Sequence, residues 1–271
     1  MSGGEDKIRE IIQGRIKIRI ILEHPFVIQG ASYKLIKTMI AETCPDTPRT
    51  LPPGSGLLSI SPLIDSNGKY LFPYVKGWQT TRMTPPRYEL YGDYTAYIGW
   101  VGDQAKHKAF QLIECMKRSK LGSVRIEEII VERATDQPVG QVLIRLRTPA
   151  QYAYRPFWGR SVYLSVPTVS RILKPPLQYL FTNRTEYVEI AKNIDYYTGI
   201  IDGAWRPVTV MFDKKKTNSW SITGWARIVV GHNAPTKIME ILGIASRMLL
   251  YSGTGKSRLN GFGQVDVSIE A

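Results

Sequence analysis

The sequence predicts an α+β chain of two tandem ferredoxin-like (RRM-like) domains with a C-terminal glycine-rich loop. Three observations predict it. The order strand, helix, two strands, helix, strand is legible twice along the 271 residues. The composition, 43% hydrophobic and 22% charged, is that of a folded globular chain. Four glycines, two cations and an aromatic crowd residues 252–265, between the last helical pattern and the last strand.

Residues 15–22, Arg-Ile-Lys-Ile-Arg-Ile-Ile-Leu, alternate charged and branched apolar side chains, which predicts a strand with one buried face, ended by His24-Pro25. Ala31, Leu35, Ile36, Met39 and Ile40 then share one face of a helix over 29–41. Pro45, Pro48, Pro52 and Pro53 make a loop. Two strands, 57–63 and 69–75, are expected to flank the turn Asp65-Ser66-Asn67-Gly68. Residues 78–92 read as a basic loop and 94–101 as a strand. A helix opens at Asp103 with Ala105, Ala109, Leu112, Ile113 and Met116 as its apolar stripe, and a strand over 124–132 follows. The second copy of the pattern takes a strand at 141–147 and helical segments over 167–198 broken by Pro175-Pro176. A hairpin of 208–212 and 219–230 follows, with a cationic tip. A helix from Pro235 and a strand at 264–269 complete it. The domains divide as 1–134 and 135–271, carrying net charges of +5 and +8.

The whole chain carries +13 and has a pI near 9.7. A charge of this size suits a polyanionic partner. Cys44 and Cys115 stand in no Cys-x-x-Cys spacing, which argues against a zinc site, and a chain of this length does not need a disulfide scaffold. No metal or cofactor is expected. The N-terminus lacks the basic-then-apolar pattern of a signal peptide and no apolar run reaches membrane length, so a cytoplasmic protein without membrane attachment is predicted.

Gly255-Lys256-Ser257 has the tail of a phosphate-binding P-loop, but the motif's first glycine is replaced by Leu250 and the helix precedes the loop instead of following it. Nucleotide triphosphate chemistry is excluded on both grounds. The loop Gly253-Thr254-Gly255-Lys256-Ser257-Arg258-Leu259-Asn260-Gly261-Phe262-Gly263 resembles instead the C-terminal glycine-rich loop of the RAMP superfamily of CRISPR RNA-binding proteins, and within it the CRISPR repeat-cleaving endoribonuclease family. His24-Pro25-Phe26-Val27-Ile28-Gln29-Gly30-Ala31-Ser32-Tyr33 resembles that family's entry to its first helix.

The resemblance implies binding of precursor crRNA and metal-independent cleavage within the repeat. The 2′-hydroxyl attacks, leaving a 2′,3′-cyclic phosphate and a 5′-hydroxyl. Such chemistry needs a group that polarises the 2′-hydroxyl, a cation for the phosphorane and a donor for the leaving oxygen. The resemblance puts a catalytic tyrosine at Tyr33. Lys37, four residues on, shares its helical face, and His24 precedes the same helix. The family commonly places a histidine in the next loop and a lysine before the next strand. Residues 43–56 hold neither, and Arg49 is their only cation. Arginine stabilises a phosphorane but is a poor proton donor at neutral pH. The expected RNA contacts are Gly253, Gly255, Lys256, Ser257, Arg258, Gly261 and Gly263 of the loop and Lys214, Lys215 and Lys216 of the hairpin tip. Arg155, Arg160 and Arg171, among Tyr154, Phe157, Trp158 and Tyr163, suit base stacking. The partners are CRISPR repeat RNA and crRNA. Service in a CRISPR effector complex and a homodimer both stay open. So does the alternative of a non-catalytic RAMP-type crRNA-binding subunit.

Overall fold

The computed structural model describes residues 11–47, 50–52, 54–79, 83–154, 162–163, 166–211 and 219–270. Two antiparallel sheets form the frame. The first has the strand order β2-β4-β1-β5, from β1 (Ile12–Gln29), β2 (Leu57–Ile60), β4 (Arg87–Val101) and β5 (Ser123–Arg133). Helices α1 (Tyr33–Thr43) and α2 (Asp103–Lys117) supply the two crossovers, so the order is that of a ferredoxin-like unit. The second sheet runs β11-β6-β10-β9-β3. It is built from β3 (Tyr74–Lys76), β6 (Gln141–Leu146), β9 (Thr198–Val210), β10 (Ser219–Val230) and β11 (Val265–Glu270). Its crossovers are α3 (Val169–Ile172), α4 (Lys174–Leu180) and α5 (Arg184–Tyr197) together, and then α6 (Thr236–Ser252). A two-stranded ribbon pairs β7 (Ala153–Tyr154) with β8 (Val162–Tyr163). The fold is α+β with tandem ferredoxin-like sheets, as the repeated pattern predicts.

Alternation fixes the first sheet. Ile16, Ile18 and Ile20 of β1 pair opposite Ile98, Ala96 and Tyr94 of β4. With Trp100 they pack under α1 and α2 against Leu35, Ile36, Met39, Leu112 and Ile113. The intervening Arg15, Lys17 and Arg19 fall on the opposite face, and a one-residue slip would exchange the two sets.

Four expectations need correction. β1 does not end at His24-Pro25; it passes through them as a bulge, with the register shifting between Leu22 and Phe26, and pairs on to Gln29. Proline lacks the ladder N–H, and a bulge absorbs that loss. Residues 87–92 are strand, not loop, because this continuation of β1 gives them a partner. The turn at Asp65 forms, with Asp65 Oδ1 accepting from the Asn67 and Lys69 N–H groups at 2.9 Å each. Its second arm makes only a bridge, Ile64 to Tyr70, before leaving to add β3 to β9 of the other sheet. Pro175 and Pro176 divide the helical run as expected: α3 closes at Ile172 and α4 opens at Lys174, with both prolines in its first turn, where a missing N–H goes unused. Finally, Cys44 and Cys115 are joined in a disulfide. The C-terminal ends of α1 and α2 meet there, and Thr43 Oγ1 donates to the Cys115 carbonyl at 2.7 Å.

The two sheets are packed together through α6. Its residues Ile241, Leu242, Ile244, Met248 and Leu249 share one core with Leu57 and Val101 of the first sheet. The Ser59 hydroxyl of β2 donates to the Tyr251 carbonyl at 2.6 Å, satisfying one of the carbonyls a helix leaves unpaired at its C-terminus.

Candidate RNA-binding cleft

The cleft begins where α6 ends. Gly253 takes φ +65°, and a Cβ there would stand 2.8 Å from the Gly263 carbonyl oxygen. Gly263 at φ +67° is more confined, since a Cβ would overlap the Thr254 carbonyl. The two glycines therefore let the ends of the loop cross in contact, tied by the Thr254 N–H donating to the Gly263 carbonyl at 2.8 Å. A second seam runs along residues 149–152. The Gly263 N–H donates to the Pro149 carbonyl at 2.9 Å and the Lys256 N–H to the Gln151 carbonyl at 2.9 Å. Thr254 Oγ1 donates to the Ile172 carbonyl at 2.6 Å and lies 3.0 Å from the buried Tyr152 hydroxyl.

This bonding changes the role of the loop glycines. The sequence suggests backbone N–H groups offered to a ligand, whereas the N–H groups of Gly253, Thr254, Lys256, Asn260, Gly261 and Gly263 are used within the protein. What the folded loop presents is its cations. Lys256 and Ser257 are exposed, and Ser257 adopts the left-handed region at φ +62°. Arg258 turns back under the loop, where Nη1 donates to the Ser252 carbonyl at 3.1 Å. That carbonyl lies at the negative end of α6, which favours a cation. Burial draws the Arg258 pKa down to about 10, so the guanidinium remains charged at neutral pH.

Arg258 stands where three concavities meet. One, of about 590 Å³, faces α1 and sets Lys37, Thr50 and Leu51 opposite Lys256, Ser257 and Arg258. Another, of about 470 Å³, lies between residues 51–57 and helices α4 and α5, where Gln178, Tyr179, Arg184 and Tyr187 join Arg258. The third opens on the far side of the loop.

The residues singled out in the sequence are distributed unequally over this cleft. Lys37 lies in it, across from the glycine loop, with Nζ 4.9 Å from the centre of the Tyr33 ring. Tyr33 itself is only 2% exposed and packs with Ala31, Phe72, Val210 and Phe262 beneath the loop. Phe262 and Phe72 meet edge to face at 4.8 Å between ring centres, so the loop's aromatic is a core residue. His24 is exposed in the β1 bulge and lines none of the three concavities. Arg49, Lys214, Lys215 and Lys216, with Arg155, Phe157, Trp158 and Arg160, lie outside the described residues. Arg171 borders the third concavity. Sequence reasoning missed Gln151, Lys174 and Arg184. Only the fold brings them to the glycine loop, and no motif marks them. Among the described residues no histidine lines the cleft, and no group of three or more His, Cys, Asp or Glu side chains converges. No described helix is long and apolar enough to cross a membrane.

No family model and no curated protein matches the sequence. Solved structures do match. The product complex of Cas6 (TTHB231) aligns with a TM-score of 0.63 at 14% identity, over 94% of this chain and 100% of its own. The chain has the Cas6 fold. Thermus thermophilus Cas6 (TTHB231) gives a TM-score of 0.59 at 14% identity, covering 95% and 99%. The product of a Cas6-related gene from Pyrococcus furiosus gives 0.51 at 13%, covering 96% and 100%. Coverage of this extent means that the Cas6 fold includes both sheets and the helix–loop–strand run at the C-terminus. Identity this low transmits the fold alone, so the chemistry has to come from the side chains of this chain.

Proposed function

We propose that this protein binds CRISPR repeat RNA in the cleft around Arg258 and cleaves it within the repeat without a metal. The observation that carries the reading is the placement of Lys37 across a single concavity from Lys256 and Arg258. The net charge of +13 and the solved Cas6 complexes of the same fold support an RNA partner.

In this reading the scissile phosphate sits between α1 and the glycine loop. The 2′-oxygen forms a bond to phosphorus, the bond to the 5′-oxygen breaks, and the products are a 2′,3′-cyclic phosphate and a 5′-hydroxyl. The hydroxyl loses its proton to solvent and the departing 5′-oxygen gains one. The protein's contribution is electrostatic: Lys37, Lys256 and Arg258 are cations fixed where the phosphorane charge develops, a role worth roughly 10²-fold or more per well-placed group. Tyr33 acts through Lys37 as a positioning residue, its ring face holding the ammonium in the cleft. The contributions of His24 and Arg49 are tested by substitution in the same assay.

A second reading, a crRNA-binding subunit that does not cut, is favoured by the absence of histidine among the described residues of the cleft. Incubating repeat RNA with the protein in EDTA separates the two. A single cut with a cyclic-phosphate end, abolished by a deoxy substitution at the scissile nucleotide, is the expected result. RNA bound but left intact supports the second reading, and no preference for repeat RNA over a control hairpin at matched salt removes both.

A further inference from the structure

Two of the concavities that meet at Arg258 are continuous. The cleft facing Lys37 and the concavity beside α4 and α5 share Leu51, Gly56 and Arg258 in their walls. A strand whose phosphate lies between Lys37 and Lys256 therefore adjoins an opening between the two ferredoxin-like units. Residues 51–57 of the first unit form one side of it, and α4 and α5 of the second form the other. Such seams between domains are common places for a ligand. The opening is about 470 Å³, within the roughly 300–1,000 Å³ of small-ligand pockets, whereas the third concavity, at about 230 Å³, is smaller than that range.

Its walls have the chemistry of a nucleobase seat. Leu57 and Phe181 belong to the buried core beneath it, and the half-buried Tyr179 and Tyr187 pack on that core while lining the opening. Tyr179 is fixed in place, its hydroxyl lying over the Gly102 backbone, where a Cβ would stand 2.5 Å from the oxygen. Arg184 and Tyr187 are three residues apart on α5 and so share a face. Asn183 fixes the start of that helix, its Oδ1 accepting from the Thr185 N–H at 2.8 Å. Burial raises the Tyr179 pKa most, and Asp103 adds to it. Burial raises that of Tyr187 as well, opposed by Arg171 and aided by Asp195. Both hydroxyls are therefore protonated at neutral pH and able to donate as well as accept. The exposed Gln178 and Arg184 add an amide and a guanidinium to the same opening. Aromatic rings over an apolar floor bind an unstacked base, and hydrogen-bonding side chains beside them read its edge.

We infer that this concavity receives the nucleobase next to the phosphate that faces Lys37, turned out of the RNA stack and held against Tyr179 and Tyr187. The inference rests on the RNA-binding reading above. It makes Gln178 and Arg184 specificity-determining residues for that one nucleotide. Arg258, common to both walls, stands where the strand passes from one concavity to the other.

The test uses the full chain and a repeat-type hairpin with its single-stranded flank, carrying deoxyribose at the scissile nucleotide, with affinity measured at ~0.1 M KCl. A neutral methylphosphonate walked along the RNA first locates the phosphate facing Lys37, as the position whose cost disappears in Lys37→Ala. An abasic residue is then walked along the same RNA. One position adjoining that phosphate is expected to weaken binding to the native protein by about tenfold, the order of a lost base–aromatic stack. Tyr187→Leu is expected to weaken binding of the intact RNA by a similar factor and to make that abasic position silent. Gln178→Ala with Arg184→Ala, both at exposed positions, replaces Tyr187→Leu if circular dichroism shows that the latter is unfolded. Native affinity in a folded variant, or an abasic cost that persists in it or falls away from the Lys37 phosphate, overturns the inference while leaving the RNA-binding reading intact. A native protein that binds no RNA, or binds it with no phosphate coupled to Lys37, overturns both.

Discussion

Gly99 of β4 lies against the backbone of Tyr251 in α6, so closely that a Cβ at Gly99 would overlap the Tyr251 carbonyl oxygen and approach the Ser59 hydroxyl to 2.9 Å. The last turn of α6 therefore rests on the first sheet through an absent side chain. Gly99→Ala is expected to force the helix from the sheet and to destabilise the protein by about 1–3 kcal/mol, the usual range for overpacking. Ser59→Ala leaves the Tyr251 carbonyl without its donor and is expected to lose about 1–3 kcal/mol. Denaturant unfolding measures both. A native midpoint for Gly99→Ala would show that helix and sheet are not pressed together here.

Gly263→Ala and Gly68→Ala form a matched pair. Both glycines have positive φ, +67° and +76°, but a Cβ at Gly68 meets nothing within 4 Å whereas one at Gly263 overlaps the Thr254 carbonyl. Gly68→Ala is expected to lose about 1–2 kcal/mol from backbone conformation alone. Gly263→Ala is expected to lose more and to weaken RNA binding, because it opens the base of the glycine loop. Thermal unfolding and RNA titration of the two variants check the difference.

Lys37 and Tyr33 separate a charge in the cleft from the ring that holds it. Lys37→Ala is expected to slow cleavage by roughly 10²-fold. Tyr33→Phe keeps the ring face under the ammonium and is expected to retain cleavage within about tenfold of native. Tyr33→Leu loses that face and is expected to fall well below Tyr33→Phe. Single-turnover cleavage in EDTA provides the comparison. Equal, large losses for Phe and Leu would assign the chemistry to the Tyr33 hydroxyl.

Affinity for RNA should report the cations around the glycine loop as pH rises. Arg258 titrates near 10, and Lys174 lies below the ordinary lysine value because of burial and the facing charges of Arg171 and Lys256. Both groups are bases, so the charged form that grips phosphate is present at lower pH and lost as pH passes upward through each pKa. Binding is expected to be level across the neutral range and to weaken on approach to pH 10. Lys174→Arg is expected to move the onset of that decline upward. Anisotropy titrations at fixed ionic strength check the prediction.

The Cys44–Cys115 disulfide closes a sequence separation of 71 residues. In the chain-entropy picture a loop of this size contributes about 4 kcal/mol. Reduction, or Cys44→Ser with Cys115→Ser, is expected to lower thermal stability accordingly. An unchanged melting temperature in dithiothreitol would show that packing of α1 on α2 suffices.

The frame was legible because its signals are local. The alternation over residues 15–22, the apolar stripes of Ala105 to Met116 and Ile238 to Leu249, and the repeated order of elements each specify structure within a few residues. What escaped depended on distant partners. Residues 87–92 carry prolines and charge nearby and become strand only because β1 continues past Pro25 to pair with them. Residues 74–76 have a strand's composition, but nothing in them says that they join β9 instead of β2. The cleft follows the same rule. Lys37, Lys256 and Arg258 were visible from their own motifs, while Lys174 and Gln151 look like ordinary residues until the loop is laid against them. The Tyr33 and Phe262 rings show the converse, since a motif marks them and the fold buries them.

The placement of β3 bears on how the chain reaches this state. Residues 74–76 lie early in the sequence yet cover the outer edge of β9, more than a hundred residues later. Trp78 anchors the crossing, its Nε1 donating to the Ser221 carbonyl at 3.0 Å and its ring stacked 5.9 Å from that of Trp220. As the chain leaves the ribosome, this short segment must wait for its partner while the strands on either side of it settle into the first sheet. A nascent chain halted before residue 198 holds an unclaimed strand, and a fragment lacking residues 74–78 exposes a bare sheet edge open to a neighbouring molecule.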